Sequence, residues 1–521
     1  MRVVTTEMMR ELDRITIEDR GVHGIILMER AGAGVAQVAL RLIDDYEFES
    51  VLIMTGPGNN GGDGWVAAKI LHSEGVEVEV ASMVLPDKLK GDARIAFERA
   101  KEAGVEFAVV PDGQITLENT DLVIDALLGT GATGAPRGAI GEMVEKVIES
   151  ELPVIAVDNP TGVNSDTGEV PGAAIKALAT VTFGLPKLGH FRHPGRVYVG
   201  RLMVVDIGIP DDVIENIQPD WRADSTETLA GFLPARPGDG HKGAFGKAAI
   251  IAGSQGMSGA AVMAAESCLR SGTGLVELVV PKGLVDTVET IFREAVTKPA
   301  QQIAKHRCFS VRALGDILGI IREADAVALG PGIGTHRETV DLIGRILPKL
   351  PCPAVIDADG LNCMAKLRKR GIEYEFGSPV IITPHPGELS KLLDIPIDEI
   401  TSNRFDDMNK WARELGVDIL VLKGAPTTIS TKEGPVYINR LGNEGMATGG
   451  SGDVLTGLIC GFLAQGLFPI EAARLGIYIH SLAGDLAAEE LGRRGMIAGD
   501  ILGCVAEAIM DLEDLYASEK L

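Results

Sequence analysis

The sequence predicts an α/β protein made of two doubly wound α/β/α units. Three observations carry that expectation. Short apolar runs alternate with stretches of helical periodicity along most of the chain, as where parallel strands are joined by helices. Nearly every apolar run ends in a glycine-rich or acidic turn, and open parallel sheets hold ligands beyond the carboxyl ends of their strands. The rhythm breaks over residues 210–242, which carry Pro210, Pro219, Pro234, Pro237 and a Gly238-Asp239-Gly240 turn. A boundary near residue 218 then divides the 521 residues into 1–218 and 219–521. Two units suit this length, since α/β domains often reach about 250 residues.

The elements follow in order. Residues 6–30 read as helical, with Thr5 or Thr6 as the N-cap. Strands are expected at 51–54, 76–82, 122–126, 154–157, 181–184 and 202–205. In the second half they are expected at 248–251, 276–280, 326–329, 354–356, 380–382, 420–422 and 428–430. A helix is expected at 454–464. No sequence repeat runs through the chain.

Composition removes several classes. Net charge is −24, which argues against a nucleic-acid surface built on clustered Lys and Arg. Phosphate binding would then rest on backbone N–H groups and helix N-termini. The six cysteines all lie in the second half and form no Cys-x-x-Cys pair, which points to reduced thiols in the cytoplasm. The scattered His residues suggest no zinc site. The first twenty residues are charged and amphipathic, unlike a signal peptide. The longest apolar runs fall short of about 18 residues, which argues against a membrane span.

The turn after the first strand reads Gly56-Pro57-Gly58-Asn59-Asn60-Gly61-Gly62-Asp63-Gly64. It satisfies the Gly-x-Gly-x-x-Gly dinucleotide fingerprint. The next strand ends at Ser82 without the acid that would bind a cofactor ribose. Amide side chains and bare backbone suit a polar ligand or a monovalent cation. Asp125 and Asp158 close two further strands and can share the same crevice. An Asn, an Asp and carbonyls make a hard-oxygen cation site. Asp158 and Lys187 are candidates for taking and returning a proton at a carbon centre.

In the second half, Gly449-Gly450-Ser451-Gly452-Asp453 opens a helix. Its N–H groups and dipole form an anion hole, and Asp453 stands at the mouth. Asp453 is placed to accept a proton from a substrate hydroxyl as a phosphoryl group arrives. No Walker A motif is present. Read alone, His385 between two prolines equally suits a turn brace, and Lys242 a surface lysine.

Residues 1 to about 215 resemble NAD(P)H-hydrate epimerase domains. The likeness rests on Glu11-Leu12-Asp13, Met28-Glu29-Arg30-Ala31-Gly32, the nine-residue loop 56–64, Asp125-Ala126-Leu127-Leu128-Gly129-Thr130-Gly131 and Asp158-Asn159-Pro160-Thr161-Gly162. It implies a Rossmann-like unit whose Asn59, Asn60, Gly61, Gly62 and Asp63 contact a damaged dinucleotide, together with Gly129, Thr130, Gly131, Gly134 and Ala135. It also implies a potassium ion held by Asn60, Asp125 and Thr161, with Asp158 touching the nicotinamide-derived ring. The family usually has Ile or Val before the Pro and Ser after it, where this chain has Asn159 and Thr161.

Residues 225 to about 515 resemble the ADP-dependent NAD(P)H-hydrate dehydratase of the ribokinase-like superfamily. The motifs are His241-Lys242-Gly243, Gly253-Ser254, Ser258-Gly259-Ala260-Ala261, Gly330-Pro331-Gly332-Ile333-Gly334, Asp357-Ala358-Asp359-Gly360, Thr383-Pro384-His385-Pro386-Gly387-Glu388, Lys423-Gly424-Ala425-Pro426-Thr427 and the 449–453 turn. This resemblance places Lys423, Gly424, Ala425, Pro426, Thr427 and Gly452 on the adenine nucleotide. It places Ala261, Gly334, His385 and Asp453 on the hydrated dinucleotide, with Mg2+ accompanying ADP. The expected activity is therefore bifunctional. One half epimerises hydrated NADH or NADPH. The other dehydrates the S form with ADP or ATP, and the superfamily suggests a homo-oligomer. The alternatives are a vitamin or sugar kinase with an N-terminal ligand-binding domain, and a sensor that binds dinucleotides without turnover.

Overall fold

The computed structural model describes residues 1–518, so 519–521 of the expected second unit lie outside the described residues. The chain divides into two compact units, Met1–Trp221 and Arg222–Leu521.

The N-terminal unit is built on a parallel sheet of seven strands. In spatial order they are Glu106–Val109, Glu77–Ser82, Ser50–Thr55, Leu122–Ala126, Val154–Val157, Ala179–Phe183 and Arg201–Val205. The central strands are apolar at almost every position because helices cover both faces, as parallel sheets require. Parallel register brings Thr55 beside Ala126 and Val157 beside Val181, so their following turns open on one edge. Topology reverses between Ser50–Thr55 and Leu122–Ala126, the switch point where such sheets bind ligands.

Residues 6–30 do not form one helix. Thr5 caps Thr6–Arg14, its hydroxyl accepting from the Met8 N–H at 3.2 Å. A wide π-type turn follows at Ile15–Asp19. Gly21 then takes φ 72, a left-handed conformation that ends the segment before Gly24–Tyr46 begins.

Nine strands of the C-terminal unit run in the order Val436–Ile438, Thr428–Ser430, Ile419–Leu422, Val380–Ile382, Ala354–Ile356, Ala326–Leu329, Lys247–Ile251, Leu275–Pro281 and Val296–Ala300. The pairing is parallel except at the final hairpin, Ile419–Leu422 to Thr428–Ser430 to Val436–Ile438. Against one face pack the helices Ser258–Arg270, Ser451–Ala464 and Pro469–Leu491. Gly457 lets two of them touch, since a Cβ there would lie 2.1 Å from the Ala264 carbonyl oxygen.

The expected strands are all present. Five further ones were not expected: Glu106–Val109, Val296–Ala300, Val436–Ile438 and the short Arg2–Val3 and Trp221–Ala223. The first two are sheet edges, half-exposed and carrying Glu106, Lys298 and Pro299. Such residues blunt an edge and hide its apolar pattern.

Candidate functional site

In the N-terminal unit, the turns after the central strands and the Thr6–Arg14 helix enclose a cavity of about 580 Å³. Asn59, Asn60, Asp63, Gly129, Thr130, Gly131, Asp158 and Lys187 line it, so eight expected site residues meet there. Gly61 and Gly62 are buried behind the wall, and Gly134 and Ala135 are not among the lining residues. The glycine loop is as much a packing device as a ligand cradle. A Cβ on Gly56 would lie 1.9 Å from the Leu127 carbonyl oxygen, and one on Gly61 2.1 Å from that of Gly56. The loop thus fits tightly against the turn that carries Gly129.

Lys187 is 1% exposed, and its ammonium donates to Asp158 Oδ1 at 2.5 Å, to Thr182 Oγ1 at 2.9 Å and to the Phe183 carbonyl at 3.3 Å. Thr182 also donates to Asp158 Oδ1 at 2.9 Å. Burial alone would raise the Asp158 carboxyl, but the Lys187 charge and these hydrogen bonds hold it below the usual range. Asp158 is ionised at neutral pH.

Asp125 and Thr161 interlock. Thr161 donates its N–H and hydroxyl to the two carboxylate oxygens, each at 2.8 Å, and its hydroxyl accepts from the Leu128 N–H at 3.2 Å. Burial nonetheless raises Asp125 to about 6. Beside them, Asn60 packs under Gly129, and its buried Nδ2 has no partner among the described residues. Asn60 and the Asp125–Thr161 pair thus both abut the turn after Leu122–Ala126, the first at Gly129 and the second at Leu127 and Leu128. Asn159 turns inward instead. Its Nδ2 donates to the Pro160 and Val163 carbonyls at 3.1 and 2.7 Å, bracing the loop that presents Asp158.

Asp13, to which the motif alone assigns no role, belongs to this site. It lines the same cavity from the Thr6–Arg14 helix. Burial raises it to about 6, with Lys187 opposing and Asp158 adding to the rise. Asp63, 8% exposed, is raised well above its ordinary value for the same first cause, with Asp158 and Asp13 adding repulsion.

In the C-terminal unit, the turns after four strands converge on the start of Ser451–Ala464. Lys423 Nζ donates to Asp357 Oδ1 at 2.7 Å and lies 4.0 Å from Glu388. Thr456 donates to Asp357 Oδ2 at 2.8 Å. Gly452 sits over this pair, its absent Cβ 3.2 Å from Lys423 Nζ. The Lys423 side chain therefore faces the acids. Residues 424–427 present backbone, held where Arg404 donates to the Lys423 and Pro426 carbonyls at 3.1 and 2.9 Å.

Asp453 lies one residue beyond Gly452, in the first turn of the helix. Burial, then the nearby Asp357, push its carboxyl up to about 7, against the pull of Lys423. Gly450 at φ 98 starts the helix; the Ser451 and Asp453 N–H groups fold back onto the Thr448 and Gly450 carbonyls at 3.4 and 3.0 Å, while the helix dipole keeps this end positive. His480 secures this turn, its Nε2 lying 2.9 Å from the Ser451 carbonyl oxygen and 3.1 Å from the hydroxyl. Gly334 is tied into the cluster by donating its N–H to Asp359 at 2.9 Å. His385 caps the Pro386–Leu393 helix by accepting from the Gly387 N–H at 3.0 Å, and its ring stays half-exposed. Ala261 is fully buried within Ser258–Arg270 and shows no surface for contact. Lys242 is exposed. Sequence reasoning missed Asp357, Glu388 and Thr456 as partners of Lys423 and Asp453. Both Asp357 and Glu388 follow strand ends, which is the signal that could have found them.

Two glycine-framed acid–base clusters, each at the carboxyl edge of its own parallel sheet, define a two-site α/β enzyme. Residues 24–189 match the YjeF-related protein N-terminus family, and residues 248–506 match the NAD(P)H-hydrate dehydratase family. The chain belongs to the family of bifunctional NAD(P)H-hydrate repair enzymes, at 39% identity to the one from Moorella thermoacetica over 99% of this chain and 98% of that one. The bifunctional NAD(P)H-hydrate repair enzyme of Thermofilum pendens is 38% identical over the same shares, 99% and 98%. A solved ADP/ATP-dependent NAD(P)H-hydrate dehydratase from Bacillus subtilis, co-crystallised with ATP/Mg2+, is 27% identical with a TM-score of 0.48, covering 56% of this chain and 98% of its own. The N-terminal strand order is that of a Rossmann-like sheet, and the C-terminal unit carries the NAD(P)H-hydrate dehydratase match on a largely parallel sheet. No helix among the described residues is long and apolar enough to cross a membrane.

Proposed function

We propose that the N-terminal cavity epimerises hydrated NADH and NADPH, and that the C-terminal site dehydrates the S epimer at the expense of ADP. Family membership along the whole chain supports both halves. The observation that carries the second is Asp453, held near a pKa of about 7 at the mouth of a helix N-terminus and beside the Lys423–Asp357 pair. A base poised near working pH can take the proton of the ring hydroxyl. The hydroxyl oxygen then bonds the terminal phosphorus of ADP as the bond to AMP breaks. The positive N-terminal end of the Ser451–Ala464 helix, with the Gly452 N–H, and the Lys423 charge stabilise the oxygens of the transferred group. Phosphate next departs with the C–O electron pair, a proton leaves the neighbouring carbon, and the ring double bond returns.

Mg2+ would arrive on the phosphates of ADP, where it neutralises charge. The described residues form no cluster of three His, Cys, Asp or Glu side chains suited to a metal ion. Residues 424–427 and Gly452 would receive the nucleotide, and Gly334 and His385 the hydrated dinucleotide. In the other unit, the Asn60 amide oxygen, the Asp125 carboxylate and the Thr161 hydroxyl are hard oxygen donors of the kind that K+ takes. K+ held there would offset the buried Asp125 carboxylate.

The test supplies the full-length protein with mixed R and S hydrated NADH, ADP, K+ and Mg2+, and follows reduced-nicotinamide absorbance. Complete conversion, faster than the epimers interconvert unaided, is expected. Conversion that stalls at the S fraction removes the epimerase assignment. Accumulation of a stable phosphoester instead identifies a kinase.

A further inference from the structure

The cavity of the N-terminal unit holds two carboxyl groups in opposite electrostatic settings. Asp158 is gripped by the Lys187 ammonium at 2.5 Å and by the Thr182 hydroxyl. Asp13 stands on the same cavity wall with Met9, Leu27 and Phe183, and no described residue donates a hydrogen bond to its carboxyl. One group is fixed as an anion. The other is desolvated and faces two further acids, Asp158 and Asp63, with Lys187 the one opposing charge among the groups acting on it. Environments that separate two titratable groups in this way assign an acid and a base.

Substrate chemistry says which bond they serve. Water adds to an enamine at the carbon beside nitrogen, so a hydrated dihydronicotinamide carries its hydroxyl on that carbon. The C–H bond there has no adjacent carbonyl to hold a carbanion, and its removal as a proton is unfavourable. Loss of the hydroxyl is favourable, because the ring nitrogen lone pair replaces it. The expectation of a proton moving at carbon therefore does not suit this substrate.

Resting on the epimerase reading above, we infer that Asp13 is a catalytic acid that exchanges the hydroxyl oxygen and leaves the C–H bond intact. The Asp13 carboxyl gives its proton to the hydroxyl oxygen. The C–O bond breaks with its electron pair on oxygen, water departs, and the nitrogen lone pair forms a C=N bond. A water then bonds the same carbon from the other face, the C=N pair returns to nitrogen, and Asp158 takes the proton that this water loses. The two carboxyls reset by exchanging protons with solvent. The opposite epimer runs the same path in reverse.

The experiment incubates the full-length protein with one purified epimer of hydrated NADH and K+, without ADP, in oxygen-18 water and separately in deuterium oxide. Mass spectrometry then reads the epimerised product. Each epimerisation beyond the unaided background should carry one solvent oxygen and no deuterium at the hydroxyl-bearing carbon. Asp13→Asn should lower the epimerase kcat by roughly 10²-fold or more, with KM little changed. Its dehydratase rate on the pure S form, the check on folding, should match that of the parent. Epimerisation with retained oxygen, or with deuterium on carbon, overturns the inference while leaving the epimerase reading intact. A full epimerase rate in Asp13→Asn overturns the role of Asp13. Absence of any epimerisation removes the epimerase reading itself.

Discussion

Lys423 and Asp357 form a buried ion pair at 2.7 Å beneath the glycine that opens the Ser451–Ala464 helix. Thr456 occupies the second Asp357 oxygen, so the carboxylate is satisfied only while Lys423 stays in place. Removing one partner of such a pair strands a charge and typically costs about 3–5 kcal/mol. Lys423→Met should therefore lose dehydratase activity and show a clearly lowered melting transition in calorimetry. The double variant with Asp357→Asn should recover much of the stability and none of the activity. An unchanged transition in the single variant would show that the pair is not coupled to folding.

Asp453 gives rate and stability opposite dependences on pH. Its folded pKa of about 7 lies above the value of about 3.9 for a free Asp. As the base form is the active one, dehydratase kcat/KM should climb with pH and level off above about 7. Stability runs the other way. The folded state binds the extra proton, so this contribution is complete at low pH and is lost as pH rises through the folded pKa. Asp453→Asn should match the parent in denaturant titrations near pH 4 and exceed it near pH 8, with turnover abolished at both. Equal stability across that window would mean that burial does not raise this carboxyl.

Thr161 supports Asp125 through one hydroxyl and one N–H. Thr161→Val deletes the hydroxyl and leaves a buried carboxylate short of a donor, at a cost of about 1–3 kcal/mol. It should also flatten the dependence of the epimerase rate on KCl. Thr161→Ser should keep both properties. A Val variant with parental KCl dependence would detach Thr161 from ion binding.

Ala358 lies between Asp357 and Asp359 with φ 50 and ψ −118, a conformation that glycine adopts more easily. Ala358→Gly should raise the melting temperature by a few degrees, worth up to about 1 kcal/mol, and lower dehydratase kcat by freeing the two aspartates. A variant that melts lower would mean that the alanine methyl packs better than its backbone strains.

Much of this architecture is legible in the chain itself. Runs such as Leu122–Ala126 announce buried parallel strands because every residue must be apolar or satisfied. The glycine loop and the 449–453 turn are visible because close backbone approach admits few residue types. Asp13 was beyond reach for a physical reason. It sits in an amphipathic helix that reads as ordinary surface, and its meaning arises where that helix closes over a cavity made by turns far along the chain. For Lys423 the motif left out the partners: only the fold shows its ammonium beside Asp357 and Glu388. Ala261 likewise shows that a motif position can be buried support.

The backbone at Asp158 carries a consequence for inheritance. Its φ of 63 is left-handed, a region that Asp tolerates and Gly prefers. Asp and Gly codons differ by a single base. A drift to Gly at this position would relax the chain but strand the buried Lys187 ammonium, and that cost of about 3–5 kcal/mol exceeds the strain of about 1 kcal/mol that it relieves. Descendants of this gene are therefore held to an acid here by the cation that the fold has already buried, and one chemistry is guarded by the stability of the whole unit.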